Sequence, residues 1–444
     1  MEKELLTSSL IVAAMKGQKE IALELIERGA DVNGASMAGS TPMQMAAMRD
    51  NFEMVDLLRK AGARTELKSA VLLGDNQSVL KLIEEDAPVN EADKDGNSVL
   101  MWAAGKGYSH IVKTLIEHGA DVNARNKNGH TALYWAAAHH YQVVIQMLRQ
   151  AGATVGFVDS AMLGDTAAVL AALQSGIDTD LRNETGETAL LLAACCGQQE
   201  CVQILLDHGA DINFTTTHGT TALMRAAGRG YVEIIGLLVD RGAEVNARNQ
   251  WGFTALNSAV TAGKADAVHA LLERGAEVDT RDNRGMTPLA HAGMSLFDDP
   301  VKIARLLLDA GADVNAKSLS SGFTPLSQAV QRGHLQTVRL LLERGADPDT
   351  RDSFDQIPLR TAAHEGHITI VETLLDFGAD INSESLAGFT ALQSAADGGH
   401  LNIVRLLLQR GADVSGKRGK NALFAAKNEE ISDLLKKAGA SYWT

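Results

Sequence analysis

The stretch Gly322–Asp349, GFTPLSQAVQRGHLQTVRLLLERGADPD, decides the fold. Thr324 is placed to cap a helix, because its hydroxyl can accept a first-turn N–H. Pro325 follows at the first helical position, where a missing N–H does no harm. The spacing predicts a short helix over Pro325–Gln331 that stops at Gly333. A second helix is predicted over Leu335–Arg344, with Val338, Leu341 and Leu342 on one stripe. Gly345 then supplies the left-handed conformation that ends it. The Asp-rich segment beyond, with the next glycine, reads as a β-turn or hairpin leading into another such pair.

The same pattern runs outward in both directions. Gly-Ala pairs recur at Gly29, Gly62, Gly119, Gly152, Gly209, Gly242, Gly275, Gly311, Gly345, Gly378, Gly411 and Gly439, and most gaps are 33 residues. The two 57-residue gaps each divide into 33 and 24, at Asp86-Ala87 and Gly176-Ile177. That predicts fourteen helix pairs, the first and last being caps. Pro42, Pro288, Pro325 and Pro358 share the first-turn slot, which fixes the register. Two repeats are short, near 66–90 and 156–180: ELKSAVLLGD and GFVDSAMLGD each keep two helices but lack a hairpin's worth of residues. The order 33, 33, 24 therefore occurs twice, as a tandem duplication would leave it. An insertion at Ser295–Pro300 lengthens the turn inside the tenth repeat.

The motif G-x-T-P/A-L-x-x-A-A-x-x-G-x…LL…G-A-D/E-V-N resembles the ankyrin repeat over nearly the whole chain. The resemblance implies an all-α fold, one continuous solenoid over residues 1–444 built from stacked helix-turn-helix repeats with hairpin or turn tips. A single repeat cannot bury its apolar face, so neighbours complete each other's core. One departure stands out. Where the family usually has His after T-P-L, this chain has Gln44, Met101, Tyr134, Leu191, Met224, Asn257, Ala290, Ser327, Arg360 and Gln393. Packing or other polar groups must replace the hydrogen bonds that histidine makes between family repeats.

Composition narrows the function. A chain of 444 residues with 45% hydrophobic, 22% charged and 4% aromatic residues and 41 glycines suits thin layers of close helices rather than one thick core. Its net charge of −14, with no basic run, argues against nucleic acid as a partner. No stretch approaches eighteen apolar residues, which argues against membrane insertion, and the N-terminal sequence has no cleavage site. The three cysteines, Cys195, Cys196 and Cys201, form no disulfide framework, so a reducing compartment and a cytoplasmic location are expected.

Motifs for chemistry fail on spacing. His364-Glu365-Gly366-His367 places its histidines three apart rather than the four of H-E-x-x-H, and it falls on an inter-helix turn. Asp93-Lys94-Asp95-Gly96-Asn97 opens like a calcium loop but lacks the later ligands and coincides with a hairpin tip. There is no phosphate-binding loop and no nucleophile elbow. Cys195 and Cys196 are expected as surface residues and Cys201 as core, with His208 the one other ligand type nearby. The expectation is therefore a chain without cofactor, metal or catalytic residues. A redox- or metal-responsive role for the three cysteines is the alternative.

The family resemblance implies a partner protein bound along hairpin tips and the exposed side of the first helices. Trp102 and Trp135 hold the same slot 33 residues apart, with Lys106, Tyr108, Tyr134, His139, His140 and Tyr141 close by. Tryptophan and tyrosine are enriched at interface hot spots, although the tryptophan slot also serves packing. A second row, Trp251, Phe253, Met286, Phe323, Phe354 and Phe389, lies on the later hairpin tips. It is either an exposed apolar strip or a set of tip-to-tip contacts. Arg225 and Arg229 are placed to grip an acidic segment or to form local ion pairs. The expected protein is a monomeric scaffold or adaptor, whether resident in its cell or acting as an effector on a host protein.

Overall fold

The computed structural model describes residues 2–36, 39–294 and 300–441. Its helices come in antiparallel pairs, and the chain divides into two compact blocks, residues 1–209 and 210–444. In the first block the pairs are α1 and α2 (Glu2–Lys16, Lys19–Glu27), α3 and α4 (Pro42–Met48, Phe52–Lys60), and α5 and α6 (Leu67–Leu72, Asn76–Glu84). They continue with α7 and α8 (Val99–Lys106, Ser109–Glu117) and α9 and α10 (Ala132–Ala138, Gln142–Gln150). The block ends with α11 and α12 (Phe157–Leu163, Thr166–Gln174) and α13 and α14 (Ala189–Cys196, Gln199–Asp207).

The second block opens with α15 and α16 (Ala222–Arg229, Val232–Asp240), α17 and α18 (Ala255–Thr261, Ala265–Glu273), and α19 and α20 (Pro288–Met294, Pro300–Asp309). Next come α21 and α22 (Pro325–Gln331, Leu335–Glu343) and α23 and α24 (Pro358–Glu365, Ile368–Asp376). Last are α25 and α26 (Ala391–Gly398, Leu401–Gln409) and α27 and α28 (Gly416–Ala425, Glu429–Lys437). Among the described residues the 28 helices make fourteen pairs. Within each block the odd-numbered helices form one layer and the even-numbered helices a second.

Local chemistry sets each helix as the sequence suggested. Thr324 Oγ1 accepts the Ser327 N–H at 3.2 Å while Ser327 Oγ accepts the Thr324 N–H at 2.9 Å, a complete capping box at the start of α21. Helix α22 ends at Glu343, one residue before the expected boundary, and Gly345 is left-handed at φ +87°. First helices are dominated by small residues: Ala103, Ala104, Ala136, Ala193, Ala226 and Ala227 are all fully buried. Small side chains let neighbouring helices approach closely. Second helices are amphipathic. In α8, Ile111, Val112 and Leu115 are buried, each stabilising by about 1.5–3 kcal/mol, while Lys113 and Glu117 face water as an ion pair.

The V-N end of each repeat has a structural purpose. Asn123 donates from Nδ2 to the Gly152 carbonyl at 3.1 Å, and its Oδ1 accepts the Thr154 N–H at 2.8 Å. Asn33, Asn90, Asn246 and Asn315 do the same to their following repeats. Each satisfies a carbonyl left over at a helix C-terminus and joins two repeats. Hairpin tips are turns held by an Asx-type residue: Asn249 Oδ1 accepts the N–H groups of Trp251 and Phe253 at 3.0 and 2.9 Å. Among the described residues there is no extended strand, only the bridges Ala92 to Ser98 and Arg182 to Thr188.

The linkers between pairs differ in length. Only residues 61–66 link α4 to α5, and 151–156 link α10 to α11, whereas residues 28–41 join α2 to α3. In the insertion at Ser295–Pro300, Ser295–Asp299 lie outside the described residues, and Pro300 opens α20. The last repeat has its polar face, with Glu429, Glu430, Lys436 and Lys437 exposed. The first does not match it, because Leu5, Val12 and Ile21 are also exposed.

Candidate functional site

In the first block, the expected aromatic cluster is assembled. Trp102 and Trp135 lie side by side on α7 and α9, ring centroids 5.6 Å apart and tilted by 48°. A close approach at Gly105 makes room: a Cβ there would sit 2.8 Å from the Trp135 ring. Trp102 is half-buried and held from one side. Its Nε1–H donates to Asp93 Oδ2 at 3.3 Å, and the Lys68 ammonium sits 5.1 Å from its ring centre. Lys68 also binds Asp93 Oδ2 at 3.0 Å. Burial works to raise the Asp93 carboxyl, yet hydrogen bonds from Lys68 and Asn97 hold it below the usual carboxylate range. The residue that resembles a calcium ligand is thus bound to an ammonium and to its own turn.

The neighbours split into two groups. Tyr134 stacks on His130 at 3.8 Å, and His139 stacks on Tyr141 at 5.9 Å. Tyr108 and Tyr141 follow their first helices and pack on glycines of the preceding repeat. A Cβ at Gly74 would lie 3.2 Å from Tyr108, and one at Gly107 would lie 2.7 Å from Tyr141. These two tyrosines are therefore partly structural. Lys106 reaches across the short third repeat to Asp50, with Nζ 2.9 Å from both carboxylate oxygens. Its charge is already paired, which composition alone did not reveal.

In the second block the hairpin row divides. Trp251, Phe354 and Phe389 are exposed at 51%, 66% and 45%, while Met286 is packed away at 4%. Met286 holds the last position of its turn, where its N–H donates to Asp282 Oδ1 at 2.9 Å. Phe253 and Phe323 are half-buried. Phe253 meets the His291 ring edge-on at 5.1 Å, and Phe323 packs on Phe354 at 6.2 Å. Trp251 lies 5.5 Å from His218. Leu319 and Leu386, at 78% and 95% exposure, extend the apolar tips and were not singled out from sequence. Arg225 is half-buried with a partner inside the chain, and Arg229 is exposed at the end of α15.

The zinc-like and cysteine readings meet physical obstacles. His364 lies in the last turn of α23, Gly366 is left-handed at φ +82°, and His367 packs over Gly333. His400 in turn covers Gly366 and bonds the His364 carbonyl at 2.8 Å through Nε2. Cys196, expected at the surface, is instead buried at 6% exposure, because the end of α13 faces the core. Burial, with help from Asp165 and Glu200, pushes the Cys201 thiol up to about 11. A thiol held that high supplies almost no thiolate at neutral pH. His208 turns its Nδ1 to the Ile204 carbonyl at 2.8 Å.

The slots where family histidines would sit carry the site that sequence reasoning passed over. Met101, Leu191, Met224 and Ala290 fill them by packing, and Asn257 and Ser327 by hydrogen bonds to their caps. Arg360 and Gln393 fill them with buried polar groups that line an open cavity of about 500 Å³.

Comparison with known proteins agrees with this architecture. The chain matches the family described as "Ankyrin repeats (3 copies)" over residues 67–159, 157–249, 245–318, 326–418 and 359–444, and "Ankyrin repeats (many copies)" over 10–59. It is 31% identical over 117 residues to the ankyrin repeat and SAM domain-containing protein 6 of Danio rerio, covering 24% of this chain and 16% of that protein. It is 49% identical over 53 residues to the 2-5A-dependent ribonuclease of Mus musculus, covering 12% and 7%. The chain thus spans only a small part of these relatives. The ankyrin repeat domain of human ASB11 aligns with a TM-score of 0.46 at 26% identity, over 51% of this chain and 99% of that one. With matches that run through most of its repeats, this chain belongs to the ankyrin repeat family.

Proposed function

We propose that the protein is a non-catalytic adaptor that holds a partner protein on its first-helix face around Trp102–Tyr141. The Trp102–Trp135 pair carries the proposal. Two large, half-buried aromatic rings sit side by side at equivalent positions of adjacent repeats. Lys68 and Asp93 fix one of them in place. Preorganised aromatic anchors of this kind supply contact area at low entropy cost. Tyr134 and His139 border them, and the exposed tips at Trp251, Phe354 and Phe389 offer further apolar contact in the second block. Helices of the described residues are too short or too polar to cross a membrane.

The test compares partners recovered from the native cell with the wild-type protein and with a Trp102→Ala/Trp135→Ala variant. Loss of a defined partner at unchanged fold supports the face. Equal recovery of every partner removes it.

A further inference from the structure

Arg360 is an unusual residue for its place. It stands at the third position of α23, 9% exposed, where the flanking repeats carry the uncharged Ser327 and Gln393. Of its N–H groups only Nη1 is paired, with the Asp355 carbonyl at 3.0 Å, while Nε is buried without a partner. Among the described residues no carboxylate forms an ion pair with it. The nearest acid, Asp355, is engaged by Arg351 at 2.8 Å and by the Leu386 N–H. Burial is costly for a cation and lowers the Arg360 pKa from its ordinary value; the charges of Asp355 and Asp352 offset this only in part, and Arg351 opposes them.

Three further observations point at the same spot. Gln393, 7% exposed, occupies the equivalent slot one repeat on, and its Oε1 is also buried without a partner. Both residues line the cavity of about 500 Å³ between α21, α23 and α25. Ile357 takes the cap position of α23, so its first turn has no side-chain acceptor and its dipole adds positive potential. The Phe389 ring lies 6.0 Å from the guanidinium and forms an apolar wall. Glu365, His364 and Asp397 also line the cavity, toward the C-terminal ends of α23 and α25 and away from Arg360 and Gln393 in the first turns, with His364 Nδ1 3.9 Å from Asp397 Oδ2. An acidic run would be repelled there, whereas one acidic residue reaching inward would not.

We infer that this cavity receives a single Asp or Glu side chain from an extended segment of the partner protein, with Arg360 as its counter-charge and Gln393 bonding the adjacent peptide. A second cavity, lined by Phe323, Phe354 and Ile357, adjoins the first through Gln331, Gln356 and Thr361. Packed helices stand about 8–10 Å apart and an extended chain advances about 3.3 Å per residue. The segment therefore places an apolar residue roughly three positions from the acidic one.

This inference rests on the adaptor reading and deepens it by naming the partner's chemistry. Random twelve-residue peptides, displayed in a carrier loop so that none has a free terminus, are selected on the full chain. Selected peptides are expected to share one Asp or Glu with an apolar residue two to four positions away. Changing that acid to Asn or Gln weakens binding about 30-fold or more, as does Arg360→Met in the protein. Arg360→Met leaves the melting temperature unchanged or raises it, because a buried and only partly compensated charge is removed. The inference is overturned by selection without an acidic residue, by peptides that bind equally after the acid is changed, or by equal binding to Arg360→Met. The peptide-side change decides the matter even if the protein variant folds poorly. A cellular partner that still binds Arg360→Met would remove this pocket and leave the adaptor reading intact.

Discussion

Asn315 and Gly345 tie two repeats together: the Asn315 amide donates to the Gly345 carbonyl at 3.1 Å while its Oδ1 accepts the Asp347 N–H at 2.9 Å. The bond closes the C-terminus of α22 from outside its own repeat. Asn315→Ala is expected to lower stability by about 1–2 kcal/mol, two modest hydrogen bonds together, read by urea unfolding.

Asp349 holds the equivalent place one repeat on but carries a carboxylate. It accepts the Asp380 N–H at 3.1 Å and has no hydrogen to give a carbonyl. Burial raises its pKa above the ordinary value. The folded state therefore binds the proton more tightly than the unfolded chain, and this residue costs stability as pH rises. Asp349→Asn is expected to stabilise the protein at pH 7 by about 1 kcal/mol, with the gain shrinking as pH falls toward the carboxylate range. A loss of stability at pH 7 would contradict the account.

Much of this was legible in sequence because each repeat writes its structure locally. Thr324, Pro325 and Gly345 announce a cap, a first turn and a stop within a few residues, and the structure places α21 where they predict. The ion pair from Lys106 to Asp50 was not legible, since it joins residues 56 apart across a shortened repeat. Burial of Cys196 was missed for a related reason: side-chain direction at a helix end depends on the neighbouring layer. Arg360 left a signal that could have been read. It is the one basic residue in a slot that elsewhere holds residues such as Met101, Leu191 and Met224, which marks a buried cation before any coordinates exist.

His291 donates stability of a pH-dependent kind. It is buried against Asp282, with Nε2 3.0 Å from Oδ2, and Arg284 lies beside the same carboxylate. Burial, aided by Arg284 and opposed by Asp282, sets its pKa below the ordinary histidine value; burial lowers His130 likewise. As pH falls through about 6.5 the unfolded chain takes up these protons first, so stability is lost toward acid. The melting temperature is expected to fall between pH 7 and pH 5. His291→Gln reduces that slope, and an unchanged slope would count against the assignment.

The cysteines should differ in reactivity. Under native conditions at pH 8, iodoacetamide is expected to modify the partly exposed Cys195 first. Cys196 and Cys201 stay protected until the chain is denatured, because burial hides both and holds the Cys201 thiol near 11. Mass spectrometry of the digested protein reads the order. Rapid native modification of Cys201 would restore the redox reading.

The adaptor proposal meets its most direct test in contact mapping inside the native cell. A photo-crosslinking residue is placed at Tyr134, beside the Trp102–Trp135 pair, and in a second protein at Glu117 on the exposed face of α8. The account predicts adducts to a defined partner from position 134 and none from position 117. Adducts from position 117 alone, or equally from both, would contradict it.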